Sequence, residues 1–105
     1  PWLMEVKGVT LDANGTAMFP DAPTERGIKH LDELAGASKA GCQTAILFVI
    51  QMKGIRSFSP SRSAHPGFAD ALLRAANSGV HIWAYDCLVT ENTMKIDRPV
   101  SVILS

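Results

Sequence analysis

Two residues near the start of the chain have types and spacing that could do chemistry: Glu5 and Lys7, set in an otherwise apolar, strand-like run. Side chains alternate across a strand, so the two project from the same face, flanked there by Leu3 and Val9. Burying such groups unpaired is costly. An ion pair on a half-exposed strand would meet that cost. So would a metal-and-phosphate site, in which the carboxylate holds a divalent cation and the lysine one pleat away orients or activates water or steadies developing negative charge. E-x-K is too short a pattern to choose between these, and its location decides its weight. Other chemistry is poorly signalled. G-x-G-x-x-G, G-x-x-x-x-G-K-[ST], G-x-S-x-G and H-E-x-x-H are all missing. His30, His65 and His81 are scattered without metal-ligand spacing. The serines near His65 are better explained by a polar loop than by a Ser-His nucleophile.

The elements that must position the pair follow from the residues around it. Residues 2–11 are β-prone, and Asp12-Ala13-Asn14-Gly15 supplies a turn before a short strand over 16–19, which reads as a hairpin. Ile28, Leu31, Leu34 and Ala35 recur at helical spacing and predict a helix over about 22–40, with Asp21 as cap, Pro23 in the first turn and Gly41 as stop. The apolar run 44–50 has the composition of a central strand covered on both faces. Residues 52–65 read as a long loop. A second amphipathic helix runs from Pro66 to its stop at Gly79, residues 80–89 form a further strand, and a final pair of extended pieces reaches Leu104. The order β-β-α-β-α-β-β places a right-handed parallel unit at the centre of a mixed sheet with two helices, and hairpins at its margins.

Composition bounds the rest. The 105 residues, 47% apolar and 19% charged, suit one globular domain and exclude wholesale disorder. No apolar run approaches the roughly 18 to 20 residues of a membrane-spanning helix, so no membrane partner is expected. Ten basic residues balance ten acidic ones, so any pull toward nucleic acid must be local. Such a locality exists: Lys39, Lys53, Arg56 and Arg62 lie between residues 35 and 69 without one acid. A flexible basic loop of this kind fits contact with a phosphate backbone and fits a solvated loop equally well. Cys42 and Cys87 read as thiols rather than a disulfide, which favours a reducing cytoplasm. The opening residues, strand-like and with no turn or cap before them, lead us to expect a fragment of a longer polypeptide.

Several stretches together resemble a known family. Glu5-Val6-Lys7 followed by Val9-Thr10-Leu11, then Phe19-Pro20-Asp21-Ala22 and Thr24-Glu25-Arg26-Gly27, look like the C-terminal part of the sugar fermentation stimulation protein A family. Leu47-Phe48-Val49-Ile50-Gln51, Phe58 with Pro60, Pro66 with Phe68, and Gly79-Val80 with Tyr85 continue the likeness over nearly the whole chain. The resemblance implies a restriction-endonuclease-like α/β core of the PD-(D/E)XK type, preceded in the full protein by an OB-like domain. It also implies DNA binding linked to sugar, notably maltose, utilisation. By that analogy Glu5 is the metal ligand, for Mg²⁺ or Mn²⁺, and Lys7 and Gln51 are its catalytic companions. Thr24 and Arg26 on the first helix then reach the scissile phosphate; the basic loop, independently of the analogy, offers Lys53, Arg56 and Arg62 for contact with the DNA backbone. Arg26 owes its place to the family pattern alone, since with Lys29 and His30 it fits a wet helix face. The aspartate that completes the motif belongs upstream of Glu5, outside this chain, so we expect weak cation binding and no DNA hydrolysis by the chain alone. His65 stands where the family's acidic residue is expected, which weakens a helix cap.

Three readings follow: a metal-dependent nuclease-like protein, a non-catalytic DNA-binding regulator on the same fold, and a protein-interaction module in which Glu5 and Lys7 form only an internal ion pair. Exposed sheet edges would also let copies of the chain pair with each other.

Overall fold

A computed structural model describes residues 2–9, 12–13, 15–19, 25–60 and 65–104. The apolar run forms β4 (Gln43–Ile50), with β1 (Trp2–Val9) and β6 (His81–Val89) parallel on either side and β7 (Met94–Pro99) antiparallel beyond β6. The expected mixed sheet is therefore present, with β4 inside it. Two helices, α1 (Glu25–Lys39) and α2 (Pro66–Asn77), pack against each other, and α1 also rests on β1 and β4.

A second four-stranded sheet joins β2 (Asp12–Ala13), β3 (Thr16–Phe19), β5 (Ser57–Pro60) and β8 (Ser101–Val102). Two expectations change here. The turn at Gly15 does make a hairpin, but between β2 and β3, while β1 belongs to the other sheet. The stretch 52–65 is not all loop, because β5 pairs in parallel with both β3 and β8. Phe58 on β5 stacks on Phe48 of β4, ring centroids 4.2 Å apart, and both are fully buried. That contact makes one core of two sheets.

Both helices stop as their glycines predict. Cys42 N–H donates to Ala37 O at 3.0 Å and Gly41 N–H to Ser38 O at 3.1 Å; Val80 to Ala75 and Gly79 to Ala76 repeat the pattern at the end of α2. Gly41 and Gly79 have φ of 101° and 103°, the left-handed conformation this motif requires. At the start of α2, His65 occupies the cap position without a side-chain hydrogen bond, and Pro66 follows it in the first turn. Residues 20–24, with the expected cap Asp21, lie outside the described residues.

Register sorts the main sheet into two faces. Leu3, Glu5, Lys7 and Val9 share a side with Thr44, Ile46, Phe48 and Ile50, and with Ile82, Ala84 and Asp86. The opposite face carries Trp2, Met4, Val6, Leu47, Val49, Trp83 and Tyr85. Ile46, Phe48 and Ile50 are buried in the core that β4 shares with the helices and with the second sheet, whereas Trp2, Met4 and Val6 are exposed.

Candidate functional site

The helix between β3 and β4 must run antiparallel to β1, because β4 is parallel to β1 and follows α1 directly. Ascending residues on α1 therefore meet descending residues on β1. Arg26, His30 and Glu33 form a stripe at helical spacing beside the buried Leu31 and Leu34. That stripe meets the strand face bearing the E-x-K pair. Glu5 Oε1 lies 3.8 Å from Lys7 Nζ and 3.4 Å from His30 Nδ1, and Lys7 Nζ lies 3.5 Å from the same nitrogen. These three side chains are only 22–35% exposed. An open cleft of about 270 Å³, lined by Leu3, Glu5, His30 and Glu33, gives access to the carboxylate.

The other expected site residues are placed less uniformly. Gln51 does sit at the C-terminal edge of the sheet, with its N–H donating to Val9 O at 2.9 Å. Its side chain, however, lies beside Gly8, where an added Cβ would come within 3.3 Å of Nε2. Gly8 alternates with Lys7, so Gln51 falls on the opposite face from Glu5 and Lys7, and the geometry does not bring it to them. Arg26 is exposed one turn before His30, on the cleft's flank. Thr24 and Arg62 lie outside the described residues.

Lys53 is already engaged. Its Nζ donates to both oxygens of Asp86 at 3.2 Å and pairs with Asp97, and Asp86 Oδ1 also accepts Arg98 N–H at 2.8 Å. The hydrogen bond from Lys53 holds the Asp97 carboxyl below the usual range, and the same bond raises the Lys53 ammonium above its own. Lys53 keeps its charge, but two carboxylates of the protein already balance it, so the structure places it in an internal tie rather than in the loop contact expected of it. Arg56 lies over the β2–β3 turn: its N–H donates to Gly15 O at 2.8 Å, and its guanidinium fills the space a Cβ on Gly15 would take. Cys87 is buried beside Asp86, and its thiol is pushed up by burial first and by that carboxylate second.

His30, Glu33, Asp86 and Asp97 were not singled out from sequence. The first two carry a signal that could have found them, a polar stripe at positions 26, 30 and 33 alongside an apolar one. Among the described residues no group of three or more His, Cys, Asp or Glu side chains is arranged to hold a metal ion. Glu5 and His30 nevertheless offer one oxygen and one nitrogen donor at the mouth of an open cleft, a set that fits a cation whose remaining positions go to water and substrate oxygens.

Comparison with known proteins decides the family. A family model described as the sugar fermentation stimulation protein RE domain matches residues 1–93. The chain belongs to this family. A sugar fermentation stimulation protein homolog of Desulfitobacterium hafniense (strain Y51) is 52% identical over 101 residues, covering 96% of this chain and 44% of the relative. One from Clostridium botulinum (strain Langeland) is 46% identical with the same coverage. The structure of Pyrococcus furiosus SfsA in complex with Ca²⁺ superposes with a TM-score of 0.90 at 26% identity, over 97% of this chain and 45% of that one. The chain thus spans less than half the length of the sugar fermentation stimulation relatives it matches. Its mixed sheet and two helices agree with the restriction-endonuclease-like architecture that the resemblance implied. Among the described residues no helix is long and apolar enough to cross a membrane.

Proposed function

We propose that this domain contributes a cation-binding carboxylate and a partnered lysine to a metal-dependent phosphodiester-cleaving site of a DNA-binding protein linked to sugar metabolism. The observation that carries the reading is the placement of Glu5 and Lys7 one pleat apart on the helix-side face of β1, with Glu5 lining an open cleft. Support comes also from the Pyrococcus furiosus relative, whose structure is a complex with Ca²⁺.

In this reading Glu5 holds the cation, Mg²⁺ or Mn²⁺, which supplies Lewis-acid charge at the phosphate. Lys7 extends past the carboxylate to orient the attacking water and steady the charge that develops on phosphate oxygens. His30 approaches both groups from the helix side. Arg26, exposed one turn before His30, approaches the DNA backbone, and Thr24, Arg56 and Arg62 would contribute further contacts to phosphates. Gln51 and Lys53 are left out of the chemistry, one by its face and the other by its carboxylate partners.

The test incubates the domain at full family length with labelled single- and double-stranded DNA and Mn²⁺, beside a Lys7→Ala version. Cleavage should fall by about 10²- to 10³-fold in the variant, the scale of losing one preorganised charge-stabilising group, with DNA binding retained. If neither version cuts while both bind with a steep salt dependence, a non-catalytic DNA-binding regulator replaces this reading. If neither binds DNA, the protein-interaction reading stands.

A further inference from the structure

His30 turns one ring nitrogen toward both members of the E-x-K pair. A single ring nitrogen, Nδ1, lies 3.4 Å from Glu5 Oε1 and 3.5 Å from Lys7 Nζ, so it can make only one of these contacts as a hydrogen bond at a time. Donating to Glu5 requires the proton on Nδ1; accepting from Lys7 requires the lone pair there. The 3.4 Å separation matches another arrangement as well. Two donor atoms each about 2.1 Å from one cation lie roughly 3.0 Å apart at adjacent octahedral positions and roughly 3.4 Å apart at tetrahedral ones. The imidazole is only 27% exposed, held by α1 on one side and β1 on the other, and it lines the same cleft as Glu5.

We infer that His30 is the second protein ligand of the Glu5 cation site, making it a mixed nitrogen–oxygen site that selects first-row transition cations over Ca²⁺. The inference rests on Glu5 being a cation ligand, as proposed above, and adds what that reading leaves open: which ions the site prefers and which residue sets the preference. Imidazole nitrogen binds Co²⁺ strongly and Ca²⁺ hardly at all, whereas a carboxylate serves both. Glu5 therefore supplies affinity for either ion, and His30 supplies the difference between them. Lys7, freed from His30 when Nδ1 turns to the cation, is left to face the substrate.

The test measures Co²⁺ and Ca²⁺ binding by titration calorimetry on the domain at full family length, its His30→Ala and His30→Gln variants, and Glu5→Gln. His30→Ala and His30→Gln should each lose Co²⁺ affinity by at least about tenfold, the loss that even an outer partner of a metal ligand brings, and keep Ca²⁺ affinity within about twofold. Glu5→Gln should weaken both ions. Equal losses of both ions in the His30 variants would make His30 a prop for Glu5 and overturn its ligand role while the cation site stands. Uptake of neither ion by the unsubstituted chain, or binding indifferent to Glu5→Gln, would overturn both.

Discussion

At the scale of single residues, Lys53 shows how a cation that reads as phosphate-ready becomes a structural tie. Its two carboxylate partners lie 33 and 44 residues downstream, on β6 and β7, and no local pattern connects them. The pairing has a pH signature. Asp97 titrates below its ordinary value, so its contribution is complete above about pH 4 and is lost as pH falls through the folded-state value. Lys53 is the mirror case: raised above an ordinary value of about 10.4, its contribution is complete below that and disappears as pH rises through the folded-state value. Asp97→Asn should therefore lower the melting temperature modestly at pH 7, as befits a solvent-screened pair, and the gap from the unsubstituted chain should narrow steadily as the pH falls below about 4 and through the folded-state value. A gap in thermal melts that does not narrow on acidification would refute the assignment. Glu5 and Lys7 were legible because strand alternation is a local rule. His30 was not, since it reaches Lys7 across 23 residues of chain and only the packing of α1 on β1 closes that distance.

The elements divide in the same way. The two helix ends could be read from Gly41 and Gly79 because left-handed stops are written in one residue type. β5 could not, because serines and Pro60 surround its single large apolar anchor, Phe58, and its pairing with β3 and β8 is set by distant strands. The helix ends also differ in a testable way. A Cβ on Gly41 meets nothing within 4 Å, so Gly41→Ala carries only the left-handed strain of about 1–2 kcal/mol. At Gly79 it would lie 2.7 Å from Ser38 Oγ, which donates to Ser78 O at 2.9 Å and ties the end of α1 to the end of α2. Gly79→Ala should cost about 1 kcal/mol more, for the displaced hydrogen bond. Denaturant titration of Gly79→Ala in a Ser38→Ala background, where the two costs should converge, checks this.

Across the whole molecule, one face of the main sheet is packed under helices and the other is largely bare among the described residues. Trp2, Met4 and Val6 are 45–57% exposed on that bare face, beside Trp83. Among the described residues β1 is the outer strand of its sheet, so the E-x-K pair rides on a strand hydrogen-bonded there to β4 alone. The central position of β4 was written in its composition. The division into two sheets was not, because the second sheet is closed by pairings of β5 with β3 and β8, strands far from it in sequence.

The bare face has an optical consequence. The chain's two tryptophans, Trp2 on β1 and Trp83 on β6, lie with ring centroids 5.9 Å apart and planes inclined by 34°. Indoles that close share their excited state, so the near-ultraviolet circular dichroism of the folded chain should contain a couplet that neither ring produces alone. Trp2→Phe and Trp83→Phe should each abolish it, and the sum of the two single-tryptophan spectra should fall short of the original. Because Trp2 sits on the strand that bears Glu5 and Lys7, the couplet reports the seating of that strand. Loss of the signal would reveal β1 lifting away from the sheet even where the helical signal of the chain stayed constant.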